Sequence, residues 1–408
     1  MTAGGRGGTS ALGPEVSPRV PIKSISEGRV RFTIDGDDAL ELHLERTCDR
    51  VRSGVRGLIP SQKLEALFLG GGYGRGEGGV FREPAGDQPY NDLEFYVAIR
   101  GPRHANEFLY RRRLEVLGEI LTQLAGVEIE FKITSLAELA EKPISMFSYD
   151  LMVGHRLLWG DGNSNLQKRH AHHYRAQGIP LSEATRLLMN RCSGLLFARA
   201  QLAQPTPATA DFVRRNVAKA QLACGDAVLV AHGLYHWSCR TRHQSLQLLA
   251  QREPSRWHQT LLQHHAAGIE FKLHPRADGD GRDALLTSHE DITRLALQCW
   301  LWIESRRLDR AFSSARAYAE DPINKCPGSS SLRNFILNLR VGGLHWHAPP
   351  SLGRHPRQRI FHSLALLLWE AAALTDPLLK KRLKSELNMP AHTDDWIAAY
   401  RSLWCQVR

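Results

Sequence analysis

The chain has 408 residues, and its 53 lysines and arginines against 42 aspartates and glutamates give a formal net charge of +11 and a pI near 9.5. This length excludes a crosslinked mini-protein and predicts two or three domains, while 42% hydrophobic and 23% charged residues exclude wholesale disorder. No apolar run reaches the roughly 18 residues of a membrane span, so we expect no membrane partner, and the positive charge favours RNA or a phosphate-rich substrate.

The first 21 residues are rich in glycine, serine, proline and alanine and have no continuous apolar stretch. They therefore predict a disordered N-terminal segment without a secretory signal, in a cytoplasmic protein. The seven cysteines are scattered and never spaced as CxxC. Such usage argues against a disulfide framework and a zinc knuckle, and it predicts reduced, mostly buried thiols.

Two apolar runs in the first part of the chain, residues 29–34 and 64–69, are compatible with strands. The second run stops at residues 70–79, which read Gly-Gly-Gly-Tyr-Gly-Arg-Gly-Glu-Gly-Gly. Glycine at this density lets backbone N–H groups approach an anion without obstruction by Cβ atoms. The segment therefore predicts a phosphate-binding loop.

The next elements are a strand, a helix and a strand. Residues 92–99 alternate with period two, which predicts a strand that carries Asp92 and Glu94 on one face. Residues 107–124 have helical spacing, and residues 127–133 alternate again. Two carboxylates thus project from the same side of one strand.

Beyond residues 160–163 helical periodicity dominates, and we expect no further strand. Thr287 with Glu290 has the spacing of a capping box in front of a helix over 292–308. The organisation predicted is a mixed α/β core over residues 22–165 and an all-helical accessory or substrate domain over 180–408.

Three phosphate-binding families are excluded by their own motifs. Gly74, Gly76 and Gly79 have the GxGxxG spacing of a dinucleotide fold, but the prolines and glycine of residues 80–89 exclude the helix that should follow. A protein kinase needs His-Arg-Asp and Asp-Phe-Gly triplets, and neither occurs. The Gly-Lys-Ser/Thr of a P-loop is absent as well.

Residues 71–77 (Gly-Gly-Tyr-Gly-Arg-Gly-Glu) and 91–94 (Asn-Asp-Leu-Glu) resemble the glycine-rich loop and acidic strand of the polymerase-β-like nucleotidyltransferase superfamily. Residues 155–161 resemble the short strand that often closes its core, and the resemblance covers about residues 64–163. It implies an α+β fold, in which a nucleotidyltransferase-like mixed sheet core with flanking helices is followed by an all-α helical domain.

The resemblance implies a nucleotidyltransferase that transfers NMP from an NTP to an acceptor hydroxyl and releases pyrophosphate by a two-metal mechanism with Mg²⁺ or Mn²⁺. Asp92, Glu94 and a third carboxylate are then the metal ligands and catalytic residues, and we prefer Glu130 to Glu128 as the third. The acceptor stays open between RNA, a protein and a small molecule.

For the nucleotide, the resemblance implies contacts from Gly71, Gly72, Arg75 and Gly76. Gly72 stands where the family usually has serine, and Glu94 stands where it usually has aspartate. These departures alter the phosphate contacts and the metal spacing. They leave an alternative, a catalytically silent nucleotide- or RNA-binding regulatory protein of the same fold.

One helix face in the C-terminal region carries charges of both signs. Arg215, Lys219 and Asp226 fall at i, i+4 and i+11, close to whole helical turns. We expect either that this face covers the triphosphate, with Lys219 on a phosphate, or that it is a solvated stripe with one ion pair.

Overall fold

The computed structural model describes residues 31–160, 163–202, 206–276, 281–342, 353–390 and 392–407. The predicted disordered segment, residues 1–21, lies outside these ranges. From Phe32 onward the described chain forms one compact unit. Within the described ranges, no helix combines the length and the apolar character needed to cross a membrane.

The described residues contain six strands in two sheets. The strands are β1 (Leu64–Leu69), β2 (Val80–Glu83), β3 (Gly86–Pro89), β4 (Leu93–Ile99), β5 (Ile129–Thr134) and β6 (Arg156–Gly160). The main sheet has the order β5-β4-β1-β6, in which β4 and β5 are parallel and β1 is antiparallel to both of its neighbours. The remaining two strands form an antiparallel hairpin.

The helices divide into a first group among the strands and a second group after them. The first group is α1 (Asp38–Leu58), α2 (Gly71–Arg75), α3 (Arg103–Ala125), α4 (Leu136–Glu141), α5 (Met146–Val153) and α6 (Asn163–Arg169). The second group is α7 (Leu181–Gln201), α8 (Pro207–Ala231), α9 (Cys239–Arg252), α10 (Arg256–Leu273), α11 (Arg282–Leu308), α12 (Ala315–Glu320), α13 (Ser331–Gly342), α14 (Arg357–Trp369), α15 (Pro377–Glu386) and α16 (Trp396–Val407). Short 3-10 turns occupy Ala171–Tyr174, Ala176–Gly178 and Ala371–Leu374. The mixed α/β part followed by a helical part is as predicted.

The main sheet is buried on both faces. One face, with Leu67 and Phe95, packs in a core with Val51 of α1, and the other, with Phe68 and Tyr96, packs with Leu151 of α5. The predicted strand over 92–99 is confirmed, but its second face is polar only at the beginning. The carboxylates therefore lie at an open end of an otherwise covered strand.

The predicted helix over 107–124 is confirmed as α3, and several of its apolar side chains are exposed. Phe108 is 90% exposed and Ile120 is 57% exposed, whereas Tyr110 and Leu114 are buried. A helix buries the side that its neighbours contact, and α3 packs on α1 and β5. The apolar surface of α3 is larger than the surface that α1 and β5 cover, so part of it stays exposed.

The strand expected over 29–34 does not form in its described part. Thr33 makes a single bridge to Gly78 instead. The Glu41 carboxylate of α1 accepts the backbone N–H groups of Phe32 and Thr33, at 2.7 and 2.9 Å. These amides are satisfied by a side chain and have no need of a partner strand.

Two further expectations concern the helical region and the thiols. The capping box is wrong, because α11 begins at Arg282 and Thr287 lies inside it. All seven cysteines are free, and five are buried. The prediction that most of the thiols are buried is therefore confirmed.

A buried carboxylate joins three elements of the helical region. Glu304 on α11 has no exposed surface. Its oxygens accept hydrogen bonds from Thr185 at 2.6 Å, Arg307 at 2.7 Å and Tyr318 at 2.8 Å. Without it, the buried hydroxyls of Thr185 and Tyr318 would lose their acceptor and Arg307 would keep only the Lys325 carbonyl.

We expect Glu304→Ala to lower the free energy of unfolding by about 3–5 kcal/mol, because Arg307, whose side chain is only 10% exposed, would lose its counter-charge. Urea denaturation measures the effect. Glu290→Ala, at an exposed position of the same helix, is the matched control and should change the free energy by less than about 0.5 kcal/mol. Equal losses in the two variants would contradict this role.

Candidate functional site

Three carboxylates converge where β4 and β5 begin. The parallel register pairs Glu94 with Glu130, and Asp92 immediately precedes β4. One oxygen from each of the three lies within 4.8 Å of the others. Glu128 precedes β5 and is outside this group; its backbone carbonyl accepts the Leu93 N–H at 2.8 Å. The geometry thus brings Glu130, and not Glu128, to the two carboxylates of β4.

The carboxylates repel one another. Desolvation by the surrounding protein and the charge of Glu94 raise the pKa of Asp92, and Glu130 adds to the rise, while Lys219 opposes it. Carboxylate oxygens are the hard ligands that Mg²⁺ and Mn²⁺ prefer. The group therefore fits a divalent cation in both donor type and spacing.

Lys132 contacts two of the three carboxylates. Its Nζ lies 2.6 Å from Glu94 Oε1 and 2.9 Å from Glu130 Oε2. Burial opposes the charge of the ammonium, but the hydrogen bond and charge of Glu94 outweigh it and raise the pKa of Lys132 well above its usual range. The sequence held a signal for this contact, because Glu130 and Lys132 are two apart on one strand.

The glycine-rich segment brings backbone up to the carboxylates. The Gly70 N–H donates to the backbone carbonyl of Glu94 at 2.9 Å. Gly71 has φ of +61°, and a Cβ at this position would lie 3.1 Å from Glu94 Oε2. At Gly74 a Cβ would overlap the carbonyl oxygen of Leu69. Glycine is required here both by backbone conformation and by close approach.

Gly72, Gly76 and Arg75 have other surroundings. A Cβ at Gly72 would lie 2.9 Å from the carbonyl oxygen of Glu77, so a serine in this turn would force a shift. Gly76 ends α2 in the left-handed conformation, with φ of +75°. Arg75 forms an ion pair at 3.2 Å with Asp150 of α5. Its predicted phosphate contact stays a prediction, since the structure gives Arg75 a protein partner.

A buried polar network continues from Arg75 into the helical region. Asp150 accepts a hydrogen bond from the Tyr235 hydroxyl at 3.1 Å, and Arg242 on α9 binds Asp226 on α8 at 2.5 Å. Burial raises the pKa of Asp150, although Arg75 and Arg242 oppose the rise. Asp226 is thus a buried structural group and not part of a solvated stripe.

Glu77 links the glycine-rich segment to α9 and α10. Its carboxylate accepts the Ser238 hydroxyl at 2.6 Å and the Cys239 N–H at 3.1 Å, and it pairs with Lys272 at 3.2 Å. Burial opposes ionisation, but Lys272, Ser238 and Cys239 together outweigh it and lower the pKa of Glu77 to about 2. No local pattern indicated these partners.

The ammonium of Lys219, on α8, interacts electrostatically with the carboxylates. Burial and Arg191 lower the pKa of Lys219, whereas the charge of Asp92 raises it. Arg215, one turn earlier, binds Asp211 at 2.6 Å through Nε. Arg215 and Asp226 therefore have protein partners, whereas the charge of Lys219 interacts with that of Asp92.

A pair of tyrosines fixes the hairpin against α8. The buried Tyr73 hydroxyl donates to the Gly79 carbonyl at 2.8 Å and accepts the Tyr90 N–H at 2.9 Å. The Tyr90 hydroxyl in turn donates to Asp211 at 2.8 Å. The glycine-rich segment, the hairpin and α8 are therefore positioned together, next to Asp92.

Comparison with known proteins adds no family assignment, since no protein-family model and no curated protein sequence matches this chain.

Replacing Gly74 tests the close packing beneath the site. We expect Gly74→Ala to lower the free energy of unfolding by about 1–3 kcal/mol, because its Cβ would push α2 away from β1. Gly57→Ala, in α1 with no atom within 4 Å of the added Cβ, is the control and should stabilise by up to about 1 kcal/mol. Urea denaturation measures both, and an unchanged Gly74→Ala protein would contradict the packing.

Glu77 predicts an acid-dependent stability. Its pKa is lower in the folded protein than in the unfolded chain, so its contribution is complete above about pH 4.5 and declines as pH falls towards 2. We expect the advantage of the wild type over Glu77→Gln to shrink by about 2 kcal/mol between pH 7 and pH 3. Denaturant unfolding at both pH values measures it, with the exposed Glu128→Gln as control. A pH-independent difference would contradict the assignment.

Proposed function

We propose that this protein is a nucleotidyltransferase that transfers NMP from an NTP to an acceptor hydroxyl and releases pyrophosphate. The observation that carries the proposal is the convergence of Asp92, Glu94 and Glu130 within 4.8 Å, beside the glycine backbone at Gly71. A phosphate-accessible turn next to a set of hard oxygen ligands is what this reaction requires.

The sheet supports the nucleotidyltransferase-like core that the resemblance implies. A parallel pair, β4 and β5, carries the carboxylates, and β1 lies antiparallel beside it and leads into the glycine turn. The helical region that follows supplies α8, which carries Lys219 towards the carboxylates. We expect the helical domain to position the acceptor.

The residues of the proposed site have different roles in binding the metal ions and the phosphates. The three carboxylates would hold Mg²⁺ or Mn²⁺, which supplies Lewis-acid stabilisation of the triphosphate and lowers the pKa of the acceptor hydroxyl. The backbone of Gly71, Gly72 and Gly76 would admit the phosphates without steric obstruction. Lys219 would attract their negative charge, and Arg75 would hold the turn through Asp150.

The acceptor is a hydroxyl of RNA, of a protein or of a small molecule. The net charge of +11 favours RNA, because a positive field concentrates a polyanion near the surface. The seven free cysteines are compatible with the reducing cytoplasm, where we place the reaction.

A second candidate function rests on Lys132. Its ammonium already neutralises Glu94 and Glu130 through contacts of 2.6 and 2.9 Å. A protein that keeps this ion pair permanently would need no cation and would be a catalytically silent nucleotide- or RNA-binding regulator of the same fold.

Nucleotidyl transfer is tested with the purified protein, each of four α-³²P-labelled NTPs, and Mg²⁺ or Mn²⁺, with and without total cellular RNA. We expect label in the RNA, protein or small-molecule fraction, which names the acceptor class. Asp92→Asn, Glu94→Gln and Glu130→Gln should each lower the rate by at least about 100-fold, since each removes a metal-ligand charge.

Glu128→Gln is the matched control, because it removes a neighbouring carboxylate outside the group, and it should retain the rate. No label with any NTP, together with nucleotide or RNA binding that is unchanged in Asp92→Asn, would favour the silent regulator. RNA affinity that falls steeply with added salt would mark the phosphate contacts of such a protein.

A further inference from the structure

Lys132 stands between two of the residues proposed to hold the cation. It follows Glu130 by two positions on β5, and the register places it opposite Tyr96, two residues after Glu94. Its Nζ contacts one oxygen of each carboxylate and lies 5.5 Å from the centre of the Tyr96 ring. The side chain is 34% exposed, so it has a path to solvent.

An ammonium in this position competes with a divalent cation for the same oxygens. Lysine carries a compact charge with three N–H donors on a flexible stem, so it can bridge two carboxylates much as a metal ion does. Glu94 Oε1 and Glu130 Oε2 cannot accept these short hydrogen bonds and coordinate an ion along the same direction. An ion that entered beside the ammonium would also be repelled by it.

We propose that Lys132 is an internal counter-ion that occupies the carboxylate group in the resting protein and must leave Glu94 and Glu130 before a divalent cation binds. This inference rests on the metal site of the proposed function. It adds that Lys132 regulates the access of a cation to that site. Lys132 holds the carboxylates together without a cation, and it lowers the affinity of the site for a free one. Lys132 is a positioning residue, since it acts through the proposed ligands.

The test measures Mn²⁺ binding to the full-length protein in the absence of nucleotide, from the electron paramagnetic resonance signal of free Mn²⁺. We expect Lys132→Met, whose unbranched side chain is one heavy atom shorter and carries no charge, to bind Mn²⁺ at least about tenfold more tightly than the wild type. Lys132→Gln is a second neutral variant with the same expectation, and circular dichroism verifies the fold of each.

Two controls isolate the charge at this position. Lys132→Arg keeps a positive charge and should retain the wild-type affinity for Mn²⁺. Lys381→Met removes an exposed lysine of α15, far along the chain from the carboxylates, and should also bind like the wild type. A gain in Lys381→Met equal to that in Lys132→Met would show a general effect of net charge and would overturn the inference.

Asp92→Asn separates failure of this inference from failure of the proposed function. If wild type and Lys132→Met bind Mn²⁺ equally, and Asp92→Asn weakens binding in both, the role of Lys132 is overturned while the metal site stands. If Asp92→Asn leaves the affinity of Lys132→Met unchanged, the cation binds elsewhere, and both the inference and the metal site of the proposed function fail.

Discussion

The parallel pairing of β4 with β5 is the constraint on which the rest of the site depends. It places Glu94 opposite Glu130 and leaves Asp92 at the open beginning of β4. Three carboxylates in so small a volume repel one another, which is unfavourable unless positive charge is near. Lys132 supplies that charge by direct contact, and Lys219 adds to it from α8. The fold therefore places two lysine side chains where their positive charge offsets the concentrated negative charge of the carboxylates.

Contacts from the helical region fix the glycine-rich segment and the hairpin next to this site. Glu77 fixes the glycine-rich segment to the beginning of α9 and to α10, and Tyr90 fixes the hairpin to α8. Arg75 is held by Asp150 within a buried polar network. Since buried charged groups are costly unless they are paired, these contacts favour one arrangement of the two regions. Glycine gives this turn a flexible backbone, and the side chains of Arg75 and Glu77 at its end hold it in one conformation.

Local sequence patterns predicted where the helices and strands lie, but not which residues they pack against. The strands over 64–69, 92–99 and 127–133 and the helix over 107–124 follow from periodicity, and all four form. Periodicity did not indicate which face of α3 is buried, and Phe108 is exposed. It also missed α1 and the true beginning of α11. Which face is buried depends on the neighbouring element, and a window of one helix contains no information about that neighbour.

The sequence by itself determined the strand, glycine turn and strand that present Asp92, Glu94, Glu130 and Gly71, because alternation and glycine content are local properties. Only the tertiary structure decided that Glu130 and not Glu128 joins the group, and that Lys132 bridges it. It also decided the partners of Glu77, which lie 161 to 195 residues away along the chain. Register between strands and pairing of distant charges arise when the chain packs, so no local pattern contains them.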